Sequence, residues 1–149
     1  DPYTGNAFAS RLSGDYRQIT SLGSVEALAR SNIAQYVIAR ESFDETTLAL
    51  RDWALTHAMS SDEESVEHRQ LYDRNNPKSP RNEYGRDRSL RVRILLISLS
   101  DRTSGGKDRG PGGSARIRFQ RSVYDKKSGN ERLLDNREAT LEYEYDAER

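Results

Sequence analysis

The hydrophobic positions follow two rhythms, one in each half of the chain. From residue 25 to 72 they recur at helical spacing; from 90 to 145 they alternate. Val25, Leu28, Ala29, Ile33, Tyr36 and Val37 form one stripe behind Ser24, a good N-cap, and predict a helix from Val25 to about Glu41. The stripe closes on a dense polar cluster, Arg40-Glu41-Ser42, followed by Phe43 and Asp44. Asp44 is suited to cap a second helix over 45–58, with Leu48, Leu55 and Met59 on one stripe and Leu50, Trp53 and Ala54 beside it. Ser61-Asp62-Glu63-Glu64 has the Ser-x-x-Glu form of a capping box. It opens a third helix over 62–72, whose contact candidates are Val66, Leu71 and Tyr72.

Two prolines in Asn75-Asn76-Pro77-Lys78-Ser79-Pro80 end the helical rhythm, because proline and its predecessor favour extended backbone. Three strands are expected beyond. The first, over 90–100, puts Leu90, Val92, Ile94 and Leu96 on one face and Arg91, Arg93, Leu95, Ile97 and Leu99 on the other. Its second half is thus apolar on both faces and needs cover from this chain or a partner, which makes Leu95, Ile97 and Leu99 interface candidates. Glycines from 105 to 113 mark a long loop. The second strand, 115–124, turns Ile117, Phe119 and Val123 inward and Arg116 and Arg118 outward. A Ser-Gly-Asn turn signal precedes the third strand, 138–145, with Ala139, Leu141, Tyr143 and Tyr145 opposite Thr140, Glu142 and Glu144. Helices followed by an antiparallel meander describe an α+β domain, with helices packed on one face of a curled sheet. Residues 1–23 read as an extended lead-in and 24–149 as a single domain.

Charge changes the picture locally. The 24 basic and 24 acidic residues cancel, but residues 1–80 carry net −4, 81–121 net +7 and 122–149 net −3. The arginine stripe Arg91, Arg93, Arg116 and Arg118 raises nucleic-acid binding as one reading. Cross-strand pairing with Glu142 and Glu144 accounts for it without a ligand, and no aromatic residue interleaves with it, so direct nucleic-acid contact is disfavoured.

Chemistry is sparse. The chain has no cysteine, and His57 and His68 do not form a ligand pair, which excludes a thiolate site and argues against zinc. Asp62-Glu63-Glu64 lacks the spacing and glycine of a calcium loop, and no Gly-Lys-Ser/Thr follows the glycine-rich stretch. No metal or cofactor is called for. Tyr36, Asp44, Asp52 and Tyr143 are the side chains that a small pocket enzyme, an isomerase or dehydratase, would use for acid–base work. Their spacing compels none of it. No apolar run is long enough to span a membrane, and with Asp1 as first residue an anchor upstream of this domain is expected.

The segment Ile33-Ala34-Gln35-Tyr36-Val37-Ile38-Ala39-Arg40-Glu41-Ser42-Phe43-Asp44 resembles the signature of the periplasmic domain of the eighth VirB component of bacterial type IV secretion systems, a group that includes TrbF. Asn76-Pro77-Lys78-Ser79-Pro80 resembles the Asn-Pro loop of that family, and Asp1-Pro2-Tyr3-Thr4-Gly5 the piece after its membrane span. The family closes with another strand, and this chain stops at Arg149, which leaves that strand out. The resemblance implies a nuclear-transport-factor-two-like (cystatin-like) fold and a non-enzymatic scaffold on the periplasmic side of the bacterial inner membrane, held by a single upstream span. It implies a homodimer or higher homo-oligomer, and contacts with the ninth and tenth VirB components. The surfaces singled out are the helix-end cluster Arg40, Glu41, Ser42 and Asp44, and the loop of Asn76, Pro77, Ser79 and Pro80. A capped helix corner and a proline-fixed turn would explain the same residues without a partner.

Overall fold

The computed structural model describes residues 22–102 and 112–144. The expected lead-in, most of the glycine-rich loop and Tyr145 lie outside them. Helix α1 spans Leu22–Glu41. A π-helical turn, Leu48–Asp52, runs directly into α2, Trp53–Met59. Helix α3 spans Asp62–Leu71 and the short α4 Pro80–Tyr84. Strands β1 (Arg88–Arg102), β2 (Gly112–Asp125) and β3 (Glu131–Glu144) form an antiparallel sheet in the order β1-β2-β3. The predicted sequence of helices, Asn-Pro loop and three-strand meander is therefore the observed one.

Helix α1 buries Leu28, Ala29, Ile33 and Val37 of the expected stripe, and Ile33 and Val37 pack on Ala115, Ile117, Phe119 and Tyr143 of the sheet. The helix that follows departs from its prediction. A π turn takes more than four residues per turn and so rotates everything after it. The buried positions become Leu48, Asp52 and Thr56, while Ala54 is exposed and Leu55 half-buried. Helix α3 departs too: Ser65 and His68 are buried, whereas Val66 and Leu71 are exposed. The expected cap forms, with Ser61 Oγ accepting from Glu64 N at 3.2 Å, and the Glu64 carboxylate accepts from Ser61 Oγ at 3.4 Å. Asp44 does not cap a helix. Its Oδ1 accepts from Thr46 N and Oγ1, which closes a tight turn before the π segment. Helix α4 is absent from the sequence expectation; Ser79 caps it and Pro80 stands at its start, where a missing N–H costs nothing.

The sheet corrects the reading of β1. The ladder shifts between Ile94 and Leu96, so that Leu95 is an extra residue. Such a bulge resets the alternation. Ile97 and Leu99 consequently face the same side as Val92 and Ile94 and pack against the main core. They are not an outward apolar face, and the two-faced strand does not exist. Leu95 and Leu96 are the residues left exposed. A second bulge, at Leu134, lies between the pairs Arg121–Asp135 and Ser122–Leu133. Strand β3 begins at Glu131, seven residues earlier than its apolar alternation suggests, because its first half is exposed and polar. At the far end of the β1–β2 pair, Gly113 lies so close to Ser100 O and Tyr143 that a Cβ would collide with backbone.

The basic block is paired internally. Arg116 and Arg118 reach Glu138 at 3.2 and 3.5 Å, Arg91 reaches Glu131 at 3.2 Å, and Arg121 grips Asp135 with two hydrogen bonds of 2.7 and 2.8 Å. The register sets Glu138, not Glu142, opposite Arg118, while Glu142 stands opposite Ser114. Cross-strand pairing accounts for Arg91, Arg116 and Arg118, with Glu131 and Glu138 as the carboxylates that reach them, while Arg93 stands opposite Gln120.

Candidate functional site at the end of helix α1

Helix α1 ends where the chain must turn back over the sheet. Ser42 N still donates to Ile38 O at 3.0 Å, then Phe43 leaves the helix and pairs with β1. Phe43 N donates to Leu90 O at 2.9 Å and Leu90 N returns to Phe43 O at 2.8 Å. This two-bond bridge pins the helix end to the first turn of the sheet. The Phe43 ring is then enclosed by Tyr72, Tyr84, Leu48, Leu90 and Val123, a second core separate from the one under α1.

Polar groups surround that aromatic core, each tied to another element. Glu45, next to the turn, receives Arg81 at 3.0 and 2.8 Å, with Arg74 at 3.8 Å. The Arg81 hydrogen bonds hold the Glu45 carboxyl below its ordinary range, against a smaller opposing effect of burial. Burial alone would raise Asp44, but hydrogen bonds from Lys126 at 2.8 Å and from Thr46 outweigh it and hold it low. Asp52 is fully buried; burial pushes its carboxyl up, against Arg51 at 2.8 Å and Thr47 at 3.3 Å. His68 lies within hydrogen-bond reach of the Arg40 carbonyl, at 3.1 Å, one of the carbonyls a helix end leaves unpaired. Its other ring nitrogen lies 3.4 Å from Thr56 Oγ1, and burial, aided by the Arg40 charge, holds the imidazole low.

The sequence candidates separate into groups here. Arg40 donates to Tyr36 OH at 3.0 Å and lies 3.7 Å from Glu41; both side chains are partly exposed. Ser42 is buried, and its hydroxyl has no hydrogen-bond partner among the described residues. In the second candidate surface, Asn76 Oδ1 accepts from Lys78 N at 3.0 Å and Asn76 O from Ser79 N at 2.9 Å. Ser79 is fully buried, Pro80 is half-buried, and Pro77 is exposed. The loop is thus stapled by its own side chains, and Ser79 is a structural residue. The Glu45–Arg81 pair brings corner and loop into one neighbourhood, which the sequence did not reveal. Trp53 joins them: Arg69 and Arg81 lie 4.7 and 5.9 Å from its ring. The only sequence signal for Glu45, Arg81 and Trp53 was their proximity to the two motifs.

The four acid–base candidates are not gathered in one place. Tyr36 and Tyr143 line a cleft of about 870 Å³ between α1, the α2–α3 corner and the end of β3. Asp44 lines a different concavity of about 400 Å³, and Asp52 is enclosed in protein. Tyr143 donates to Asp101 rather than to any of the other three.

Comparison with known proteins agrees with this geometry. The sequence model of the VirB8 protein family matches residues 9–149, nearly the whole chain. Among solved structures, a TraE protein in complex with 2-(2-furyl)isonicotinic acid is similar with a TM-score of 0.63 at 23% identity, over 85% of this chain and 84% of that one. Agrobacterium tumefaciens VirB8 is similar with a TM-score of 0.56 at 19% identity, over 83% of this chain and 96% of that one. The soluble domain of TrwG from the type IV secretion machinery of Bartonella grahamii gives 0.53 at 24% identity, over 76% and 71%. No curated protein sequence matches the chain. A helical layer on a curled antiparallel sheet, with an aromatic corner at the end of its first helix, defines a nuclear-transport-factor-two-like domain of a type IV secretion component. The chain belongs to the VirB8 protein family, with the fold of the periplasmic domain of that type IV secretion and conjugation component.

Proposed function

We propose that this domain is a non-enzymatic assembly scaffold of the type IV secretion channel. It associates with copies of itself and docks other channel subunits, the ninth and tenth VirB components among them, in the periplasm. A single span ahead of residue 1 holds it to the inner membrane. The observation that carries this reading is the family match over residues 9–149. The dispersal of Tyr36, Asp44, Asp52 and Tyr143 over separate surroundings also supports a binding role over acid–base catalysis. The contact surface starts from the exposed Pro77 and Leu95 and the partly exposed Arg40 and Glu41 of the candidate set.

The test is genetic. Deleting the parent gene in its host should abolish conjugation or secretion, and the wild-type gene should restore it. Leu95→Arg and Arg40→Ala should restore less while the protein accumulates normally. Unimpaired transfer in the deletion strain would overturn the assignment.

A further inference from the structure

The smaller concavity, about 400 Å³, is built at the start of the sheet by the α1 corner. Ser42, Phe43 and Asp44 come from the corner, Ser89 and Arg91 from β1, Tyr124 from β2, Lys126 from the turn after it and Arg51 from the π turn. Three cationic side chains from three separate elements therefore line it, against one carboxylate. Each cation already has a protein partner, and each leaves donors unused. Arg51 engages Asp52 through Nε, and no other hydrogen bond of its guanidinium is seen among the described residues. Arg91 uses Nη1 on Glu131 and lies 3.7 Å from the centre of the Tyr124 ring, which fixes the plane of its fork. Lys126 gives one of its three protons to Asp44.

Ser42, 8% exposed, closes one wall, with its hydroxyl buried out of reach of solvent and without a hydrogen-bond partner among the described residues. The π turn that presents Arg51 is also a local irregularity of a kind found often at functional sites. Unspent guanidinium donors held in place suit a planar carboxylate better than a diffuse cationic surface does. Arg51 and Arg91 are themselves about half exposed, and they differ from Arg116 and Arg118, which share Glu138 on the sheet face, in lining a common concavity with Lys126.

We infer that this concavity, presenting Arg51, Arg91 and Lys126, is a docking point for the carboxylate side chain of an acidic segment of a partner subunit. The inference rests on the scaffold reading for the source of the partner, but its chemistry is measurable without it. Arg91 and Arg51 would each supply a charge-assisted hydrogen bond, and Asp44 would hold Lys126 at the rim.

The experiment is an amide NMR titration of the 149-residue chain with N-acetyl-hexaglutamate amide, with hexalysine and sodium sulfate as comparison titrants. Saturable shifts centred on Ser42, Ser89, Arg91 and Lys126 are expected with hexaglutamate only. Arg91→Gln should weaken binding about tenfold, the size of one lost charge-assisted hydrogen bond. Arg51→Gln should do the same provided its spectrum retains wild-type dispersion. The double variant Arg116→Gln/Arg118→Gln, which removes two charges elsewhere, should bind like wild type. Equal weakening by that control, or shifts spread over all basic residues, would overturn the site. Sulfate competing as well as hexaglutamate would reduce it to a simple anion site and overturn the acidic-segment claim. In the host, failure of Arg91→Gln to impair transfer would sink the docking role, whereas failure of the gene deletion to impair transfer would sink the scaffold reading itself.

Discussion

The two parts of the helical layer are held to the molecule by different chemistry. Helix α1 lies on the sheet through Ile33, Val37, Ile117 and Phe119, all apolar and nearly inaccessible. The segment from the π turn through α3 buries Asp52, Thr56, Ser65 and His68 instead. Those groups are satisfied by one another: His57 Nδ1 lies 3.0 Å from Ser65 Oγ, and Thr56 Oγ1 donates to Asp52 O at 2.9 Å. The first region needs little beyond volume and periodicity, its one buried amide, Asn32, donating back to Leu28 O at 2.9 Å. The second needs partners, because an unmet buried polar group costs more than a missing contact gains. Apolar packing tolerates adjustment, and a hydrogen-bonded corner sets orientation.

The largest expected effects come from emptying either core. Phe119→Ala under α1 and Phe43→Ala at the corner should each cost about 3–5 kcal/mol in urea unfolding. The two losses should add, because the rings belong to separate clusters. Strong non-additivity would mean that the two regions are one cooperative core and that the division drawn above is wrong.

A one-residue deletion gives a sharper test of β1. Removing Leu95 leaves Ile94 and Leu96 facing Phe119 and Arg118 in an unbroken ladder, so Ile97 and Leu99 stay inward. The variant should fold and lose only about 1–2 kcal/mol, in the range of ordinary single changes. Deleting Arg93 instead would invert one side of the strand and should prevent folding. A Leu95 deletion that unfolds the protein would refute the bulge as the device that sets the faces.

The polar region should respond to acid before the apolar one does. The folded pKa of His68 lies below its unfolded value near 6.5, so the unfolded chain binds the proton more readily. Stability from this group is therefore present above about pH 6.5 and declines as pH falls, by at most about 1.4 kcal/mol per unit. His68→Gln, which keeps a donor for the Arg40 carbonyl, should flatten urea stability between pH 7 and 5. The depressed carboxyls act lower: with Asp135 held down to about 2 by Arg121, its contribution fades only as pH falls below the ordinary carboxylate range. An unchanged slope in the His68 variant would remove that histidine from the account. The smallest effect is expected on the open sheet face, where Arg116→Ala should change stability by less than about 0.5 kcal/mol.

The sequence by itself determined the fold class, the element order, α1 with its buried stripe, the cap at Ser61, and the inward set Ile117, Phe119 and Val123. These follow from local periodicity and capping, which need no knowledge of distant residues. Its signature segment also carried the family resemblance. Tertiary structure decided the rest. Nothing in the local pattern of RILLISLS says which leucine is the extra residue; only the facing residues of β2 choose Leu95. The buried faces of the second and third helices depart from expectation because a π turn shifts their phase and because Asp52, Thr56 and His68 have the composition of surface residues; Asp52 is met locally by Arg51 and Thr47, while His68 reaches the Arg40 carbonyl 28 positions away. The Glu45–Arg81 link, across 36 positions, and the Arg51–Arg91–Lys126 cluster exist only once four elements meet. Short-range pattern encodes which face is apolar; links such as His68 to the Arg40 carbonyl, Glu45 to Arg81 and Asp44 to Lys126 are long-range, and only the folded chain brings those partners together.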